Sequence, residues 1–487
     1  MGIIAKQTIQ GSFFSYLGVI LGGINVAVLY PRILSEDQIG LINILIALSA
    51  IFAQFSSLGI NGVTKYFFHY FRDLHSKHHG YFSVIVAVTL IGFAGFVIVF
   101  GLFNEQILST RVEDSALLSD YGIYVIPITF FTLTFLVFDI YAAVLFKSVI
   151  GTFLKDFVFR IANMILILGL YFGLLDFADF LFLYTLALAI PPVVILAELG
   201  RKGHLSWKRP DPELVKQHGK QMKSVGRYFI LAGFGSMMVT YIDRYMINLF
   251  LGLGATGIYS VTNYVGKLVQ IPRQSMGKIA ATMLARLWSE NKHNELQKLY
   301  NQSSFSQLML GIYIFIGIWI NVDAVFTIIP QDYDSGKWVI FFIGLANVFQ
   351  CFLGLGGLFI ATSPHYKVRT YLIFILGIMV IITNLLFIPV WGITGAAIAS
   401  ALSKMLFVAF NMLFLKFRLG IVPLQRKHWI IPLAGVASYF TVFYLPLPDM
   451  HWILTLIVKS VLITVVYGFF LKTFRVVPNV KHFFHSF

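Results

Sequence analysis

The chain has 487 residues, 58% of them hydrophobic and 12% charged, about half the charged share of a soluble domain, which excludes an ordinary soluble enzyme. A net charge of +15 would suit a nucleic-acid binder, but the Lys and Arg residues fall in short loops between apolar stretches, where they face lipid headgroups, so no nucleic-acid partner is expected. The single cysteine, Cys351, excludes an intramolecular disulfide and a Cys-based zinc or iron–sulfur site.

Fourteen apolar stretches follow in chain order, numbered here as helices 1 to 14: 9–30, 41–61, 80–103, 121–146, 157–175, 179–198, 227–251, 257–284, 304–328, 337–361, 370–388, 393–415, 429–446 and 452–471. At 1.5 Å per residue each is long enough to cross a hydrocarbon core of ~30 Å. Loops after even-numbered helices carry most of the Lys and Arg. Loops after odd-numbered ones carry only Arg32, Arg111 and, at an edge, Lys337, together with acids from Glu36 and Asp37 to Asp449. Cytoplasmic loops retain the basic residues, so both termini are expected in the cytoplasm of an inner-membrane, multi-pass protein. The first stretch is followed by Pro31-Arg32 and lacks a small-residue cleavage motif, so it reads as helix 1 and not as a signal peptide.

Helix 1 offers one polar residue of note, Asn25. Helix 2 carries Asn43, Ala47, Ala50, Gln54, Ser57, Asn61 and Lys65 on one face, which suits either a lumen or close packing against a neighbour. In the loop 62–79, His75 and His79 have an i,i+4 ligand spacing. Only Asp73 could complete a set, and the loop reads as a solvated surface without a metal. Helix 4 embeds Asp139. The segment 199–227 then brings eight Lys or Arg and separates two blocks of six helices. The expected domains are therefore 1–198, a six-helix bundle; 199–226, a basic cytoplasmic linker; 227–415, a second bundle; and 416–487, helices 13 and 14 with a tail. A repeat supports the cut: Leu34–Leu41 and Leu251–Ile258 share Leu-x5-Gly-apolar at a displacement of 217 residues, at the same place in each half. The fold class expected is all-α and integral to the membrane: two pseudo-symmetric six-helix bundles around a central cavity, with a C-terminal helix pair.

The second half is the more charged. Helix 7 holds Asp243 and Arg244. On helix 8, Ser260, Asn263, Lys267, Gln270, Gln274 and Lys278 advance by 3, 4, 3, 4 and 4 residues and so occupy roughly 80° of arc. A polar stripe of that length predicts a water-filled cavity. The segment 285–303 reads as an amphipathic interfacial helix. Lys404 lies in helix 12 and Lys459 in helix 14; Lys459 also suits a snorkelling residue. Lys267 and Lys404 count to ~15 Å of depth, and Asp243, Arg244 and Lys459 to ~12 Å. Ionisable groups at that depth point to a pathway. Arg244, Lys267, Lys404 and Lys459 outnumber Asp139 and Asp243, which serve as charge balance or ion coupling, so an anionic guest such as a diphosphate is expected. The outer loops are short, with no phosphate-cradling glycine loop, HExxH or DxD, which leaves binding and conformational change as the available chemistry.

Four segments carry a family resemblance: LYPRILSEDQIGLINI (29–44), SSLGINGVTKYF (56–67), YIDRYMINLFLGLGATGIYS (241–260) and NLLFIPVWGITGAAIAS (384–400). With them the chain resembles the Wzx-type polysaccharide flippases of the multidrug/oligosaccharidyl-lipid/polysaccharide exporter superfamily over nearly its whole length. The resemblance implies a transporter, not an enzyme, of the bacterial inner membrane. It would move an undecaprenyl-diphosphate-linked oligosaccharide to the outer leaflet by alternating access, for O-antigen, capsule or exopolysaccharide synthesis. It also implies a polyprenyl-diphosphate-linked glycan and the bilayer as partners, with a polysaccharide polymerase and glycosyltransferases alongside. No cofactor is expected, and the coupling ion, proton or sodium, stays open. Drug antiporters of this superfamily carry an acid in helix 1, where this chain has only Asn25. The competing readings are a lipid II flippase, a drug or organic-cation antiporter of the same fold, and a membrane glycan polymerase or ligase.

Overall fold

A capping box starts the second crossing. Ser35 Oγ accepts from Gln38 N at 3.2 Å while Ser35 N donates to Gln38 Oε1 at 3.0 Å, and Glu36 and Asp37 occupy the first turn, where the helix dipole favours acids. Asp176 caps the sixth crossing in the same way, accepting from Asp179 N at 2.7 Å. Two further boundaries need glycine. Gly252 (φ 85°, ψ −175°) and Gly392 (φ 57°, ψ −137°) reverse the chain without a loop, in a backbone region closed to other residues.

This computed structural model describes residues 3–109, 116–422, 425–448, 450–474 and 476; Arg111, Asp449 and the side chain of Lys278, named above, lie outside the described residues. Among the described residues the chain forms fourteen long helical segments, with shorter helical pieces such as Val322–Ile328 between them, and no strand. They are α1 (3–33), α2 (36–71, with a turn at 57–59), α3 (Tyr81–Leu108), α4 (116–144), α5 (148–171), α6 (Phe177–Arg201), α7 (212–251), α8 (253–289), α9 (His293–Ile320), α10 (337–362, broken at 354–355), α11 (366–391), α12 (393–419), α13 (Arg426–Phe443) and α14 (Trp452–Thr473). Ten stretches are long and apolar enough to cross a bilayer, and two of these, 212–274 and 367–419, fold back at the glycines above. Leu102 is 70% and Ile91 65% exposed on α3, as lipid-facing side chains are. The protein is an integral membrane protein of all-α class.

Three boundaries differ from the sequence reading. Most of the basic segment is helical, because α6 runs to Arg201 and α7 begins at 212, well before its apolar run. Helix α5 begins at 148, nine residues early, and carries Lys155, Asp156 and Arg160 within its length. The segment 285–303 is not one interfacial helix: α8 ends at Ser289, Asn291 takes φ 53°, and α9 starts at His293. Its polar residues come from two helix ends and a turn, a pattern that mimics amphipathicity.

The chain gathers into two compact units, 1–261 with 373–396, and 262–372 with 397–487. The first has a core of Phe68, Phe71, Tyr81, Phe82 and Tyr141 beneath α2, α3 and α4. In the same unit α2 runs against α7 and the start of α8. A Cβ on Gly40 would overlap Leu253 O, and one on Gly257 would overlap Glu36 O. Since 36 maps to 253 and 40 to 257 under the 217-residue displacement, the repeat is realised as a reciprocal contact, each glycine receiving the other segment's backbone. At the other end of α2, bare backbone is again required where Gly59 meets Gly226 and Gly62 meets the Phe229 ring. The second unit has two cores, one beneath α8, α9, α10 and α12, and one among α9, α13 and α14 around Ile312, Ile316 and Tyr467.

Candidate functional site

The two most characteristic sequence segments meet at one carboxylate. Asp243 of α7 is buried, and its Oδ2 accepts from Tyr259 Oη at 2.9 Å and its Oδ1 from Asn384 Nδ2 at 2.8 Å. Tyr259 closes the Gly-x-Tyr of one segment and Asn384 opens the other, so the motif is a three-helix clamp of α7, α8 and α11. Arg244 is partly buried with its guanidinium 5.7 Å from the Tyr241 ring, and its Nε has no hydrogen-bond partner.

A second polar seam in this unit joins α1 to α5. Ser15 Oγ donates to Asp156 Oδ2 at 3.0 Å, Asn25 Nδ2 donates to Arg160 O at 2.9 Å, and Tyr30 Oη pairs with Asn163 at 2.7–3.0 Å. Both helices widen to π-geometry beside these contacts, at Ile24–Leu29 and Leu154–Val158, and such bulges gather at functional positions. Asp139 lies against Gly151 of α5, within electrostatic reach of Lys155 and Lys65.

The α2 face that sequence offered as small and polar is packed in this conformation. Ala47, Ala50, Gln54, Ser57 and Asn61 are buried, and Gln54 lies on Gly233 of α7. Asn43 is partly buried and donates to Ile39 O of its own helix at 2.9 Å. The helix 8 stripe changes character along its length. Ser260 and Asn263 are buried, and Ser260 Oγ and Asn263 Oδ1 have no hydrogen-bond partner. Lys267 is partly buried; a 3-10 turn at Leu268–Gln270 then resets the register ahead of Pro272, leaving Gln270 partly buried and Gln274 exposed. Lys404 and Lys459 are partly buried on α12 and α14. Asp139, Asp243 and Arg244 belong to the first unit, and Lys267, Lys404 and Lys459 to the second.

Sequence reasoning missed two arginines of the second unit. Arg273, one turn beyond the 3-10 segment of α8, donates from Nε to Gly354 O at 3.3 Å and from Nη1 to Gln350 Oε1. Arg369, at the start of α11, rests its Nη1 on Gly357, and that nitrogen is buried without a hydrogen-bond partner. The two guanidinium groups are near enough to repel each other. Both border the break in α10, where Gly354 takes φ 61°. Backbone freed by a broken helix at membrane depth marks ligand sites in transporters. The available signal was a charged residue directly after Pro272 inside an apolar run; Arg369 was lost because it stood one residue outside its predicted span.

Residues 8–284 match the family described as polysaccharide biosynthesis protein. An uncharacterised membrane protein of Methanocaldococcus jannaschii is 23% identical over 257 residues, 50% of each chain. The probable low-salt glycan biosynthesis flippase of Haloferax volcanii is 22% identical over 214 residues, 43% of this chain and 44% of that one. The chain thus spans about half the length of the curated relatives it matches. Among solved structures, a lipid II flippase, MurJ, in an inward closed conformation superposes with a TM-score of 0.72 at 14% identity, covering 96% of this chain and 99% of that one. An inward-facing MATE family multidrug transporter of the MOP superfamily gives 0.66 at 12% identity over 84% and 94%. The fold, with its pseudo-symmetric bundles, is shared with both.

Proposed function

The chain belongs to the polysaccharide biosynthesis protein family, and from that premise we propose that it is a flippase for a polyprenyl-diphosphate-linked oligosaccharide. It acts as a transporter without covalent chemistry and carries its substrate from the cytoplasmic to the outer leaflet by alternating access. In a bacterial host the carrier is undecaprenyl diphosphate, the membrane is the inner one with both termini cytoplasmic, and the product feeds surface polysaccharide synthesis beside glycosyltransferases and a polymerase. The bundles 1–198 and 227–415, joined by 199–226, are the moving halves. The carrying observation is the buried arginine pair. Arg369 has an unfilled N–H inside the protein and Arg273 shares its field. Two cations in a low-dielectric site repel unless an anion joins them, and a diphosphate supplies bidentate acceptors for both. Lys267, Lys404 and Lys459 add to the basic character of the second unit as substrate-binding cations, and Arg244 supplies one in the first. Asp139 and Asp243 balance charge or couple an ion, proton or sodium, and the orphan acceptors at Ser260 and Asn263 suit sugar hydroxyls.

Reconstitution tests the reading. In vesicles holding a fluorescent polyprenyl-diphosphate oligosaccharide in the inner leaflet, the wild type should expose the label to an external quencher. Arg273→Ala and Arg369→Ala should not. Efflux of an organic cation without glycan movement would make the protein an antiporter instead.

A further inference from the structure

A cavity of about 970 Å3 opens where α2 and α3 meet the start of α7, away from the clusters above. Its floor is apolar, formed by Ile60 and Val63 of α2, Val84, Ala87 and Val88 of α3, and Ile230 of α7. Its rim is cationic: Lys208, Arg209, Lys223 and Arg227 are all exposed, and among the described residues no acid lines the cavity. Asp211, the nearest acid in the strap, is engaged by His79 at 3.3 Å.

The rim is tied in place by the backbone. Ser83 Oγ donates to Ser206 O at 3.0 Å and to Lys208 O at 2.8 Å, while Asp211 N donates to His79 O at 3.1 Å. Gly80 lets this strap lie on α3, since a Cβ there would stand 2.6 Å from Arg209 O. The α7 residues lining the cavity, from Val215 to Ile230, advance by 4, 3, 1, 3, 1 and 3, so a single helix face makes that wall. Trp207, 75% exposed, sits at the mouth with its ring edge-on to Phe82 at 5.3 Å, an arrangement suited to the membrane–water boundary.

We propose that this cavity binds an anionic phospholipid of the surrounding leaflet, with its phosphate among the four cations and an acyl chain on the α2–α3 floor. A free phosphate would leave the floor wet, and an uncharged lipid would leave the cations unmatched. Clustered basic residues at a membrane boundary read anionic headgroups. The site is independent of what the protein transports. Leu58 and Gly226, which form the α2–α7 contact, also line the cavity. Parting those helices would dismantle the site, so by linkage the bound lipid favours the closed contact.

The test uses purified full-length protein in a neutral detergent, titrated with short-chain phosphatidylglycerol or phosphatidylcholine and read by native mass spectrometry. Phosphatidylglycerol should bind about tenfold tighter or better. The combined K208Q/R209Q/K223Q/R227Q variant should lose that preference. Ala87→Trp, which fills the floor and keeps every charge, should weaken binding by a similar factor and decides the matter if the combined variant does not fold. Lys292→Gln with Lys298→Gln, a distant loss of charge, should bind as wild type. Equal binding of the two lipids, full binding by Ala87→Trp, or saturation by undecaprenyl diphosphate with no binding of phosphatidylglycerol would each overturn the proposal.

Discussion

Changing either of the reciprocal glycines to alanine should open the Gly40 end of α2, and changing both should do little more. Beyond the carbonyl overlap, a Cβ on Gly40 would stand 2.7 Å from Leu253 C, against ordinary contact at 3.4–4 Å, and one on Gly257 would stand 2.9 Å from Glu36 C. The obstacle in each case is backbone, which cannot rotate away, so the helices must separate. Overpacking costs ~1–3 kcal/mol, and an overlap with rigid backbone falls in the upper part of that range, ~2–3 kcal/mol; alanine returns ~1 kcal/mol of helix propensity, for a net loss of ~1–2 kcal/mol per variant. Separation caused by one substitution also relieves the clash at the other, so the double variant should cost about as much as the worse single one. The coupling would then be ~1–2 kcal/mol, within the range for contacting residues. The assay is the labelling rate of Thr256→Cys by a hydrophilic thiol reagent; Thr256 is fully buried beside Gly257, and the native Cys351 is also buried. Each single variant should raise the rate roughly tenfold and the double variant by no more than another twofold, using 1.4 kcal/mol per decade. Gly95→Ala, with open space around it, should leave the rate unchanged. Multiplicative rates near a hundredfold in the double variant would refute the reciprocal contact.

Three further outcomes follow from the site geometry. Asp243→Asn turns an amide toward the Asn384 donor and should cost about 1.5–3 kcal/mol, seen as reduced protein in membranes, while Asp243→Asn combined with Asn384→Asp restores the pair and should recover abundance. Lys267→Ala and Lys404→Ala should abolish glycan transport at normal abundance with Arg retaining part of it, whereas Arg273→Lys should lose most activity, because a lysine cannot span Gln350 and Gly354 as a guanidinium does. Burial, followed by the charges of Lys147, Lys202 and Arg72, holds His204 below its usual 6.5, and its Nδ1 meets His78 Nε2 at 3.1 Å. The unfolded form therefore takes the proton first, so stability is complete above 6.5 and falls as pH drops below it. Proteolytic nicking of 201–211 should quicken between about pH 7.5 and about pH 5.5, and His204→Gln should lessen that dependence, the remainder belonging to His78, which burial also holds low.

What the sequence made legible was whatever depends on composition over a whole helix. The crossings, the all-α class and the internal repeat all follow from apolar run lengths and loop content, and the repeat even located the glycines that touch. Legibility failed where one residue's surroundings decide. Arg160 and Lys155 fell at the edge of a predicted span because three charges shortened the apparent run of α5. Arg369 failed in the same way, and Arg273 lay off the register of the stripe. The stripe itself assumed an unbroken 3.6-residue period, which the turn at Leu268–Gln270 interrupts. Asn384 was quoted as a motif letter, yet its purpose needs the 141-residue separation from Asp243 to be closed in space.

The chain passes between its two compact units at 261/262, 372/373 and 396/397, and each passage lies inside a helix. A loop at such a joint would act as slack, letting one unit shift while the other stays still. A helix behaves instead as a stiff rod, whose hydrogen-bonded backbone carries torque and axial load from one unit into the next. Any displacement must then be absorbed by bending, and the compliant points are the places where the ladder is already interrupted: the 3-10 turn before Pro272 on one rod, and Pro389 with Gly392 on another. These few residues act as the flexures of the assembly, the first of them set between Lys267 and Arg273 and the second remote from the basic residues of the site. Stiffening the one at Pro389 and Gly392 should slow the working cycle while leaving affinity untouched.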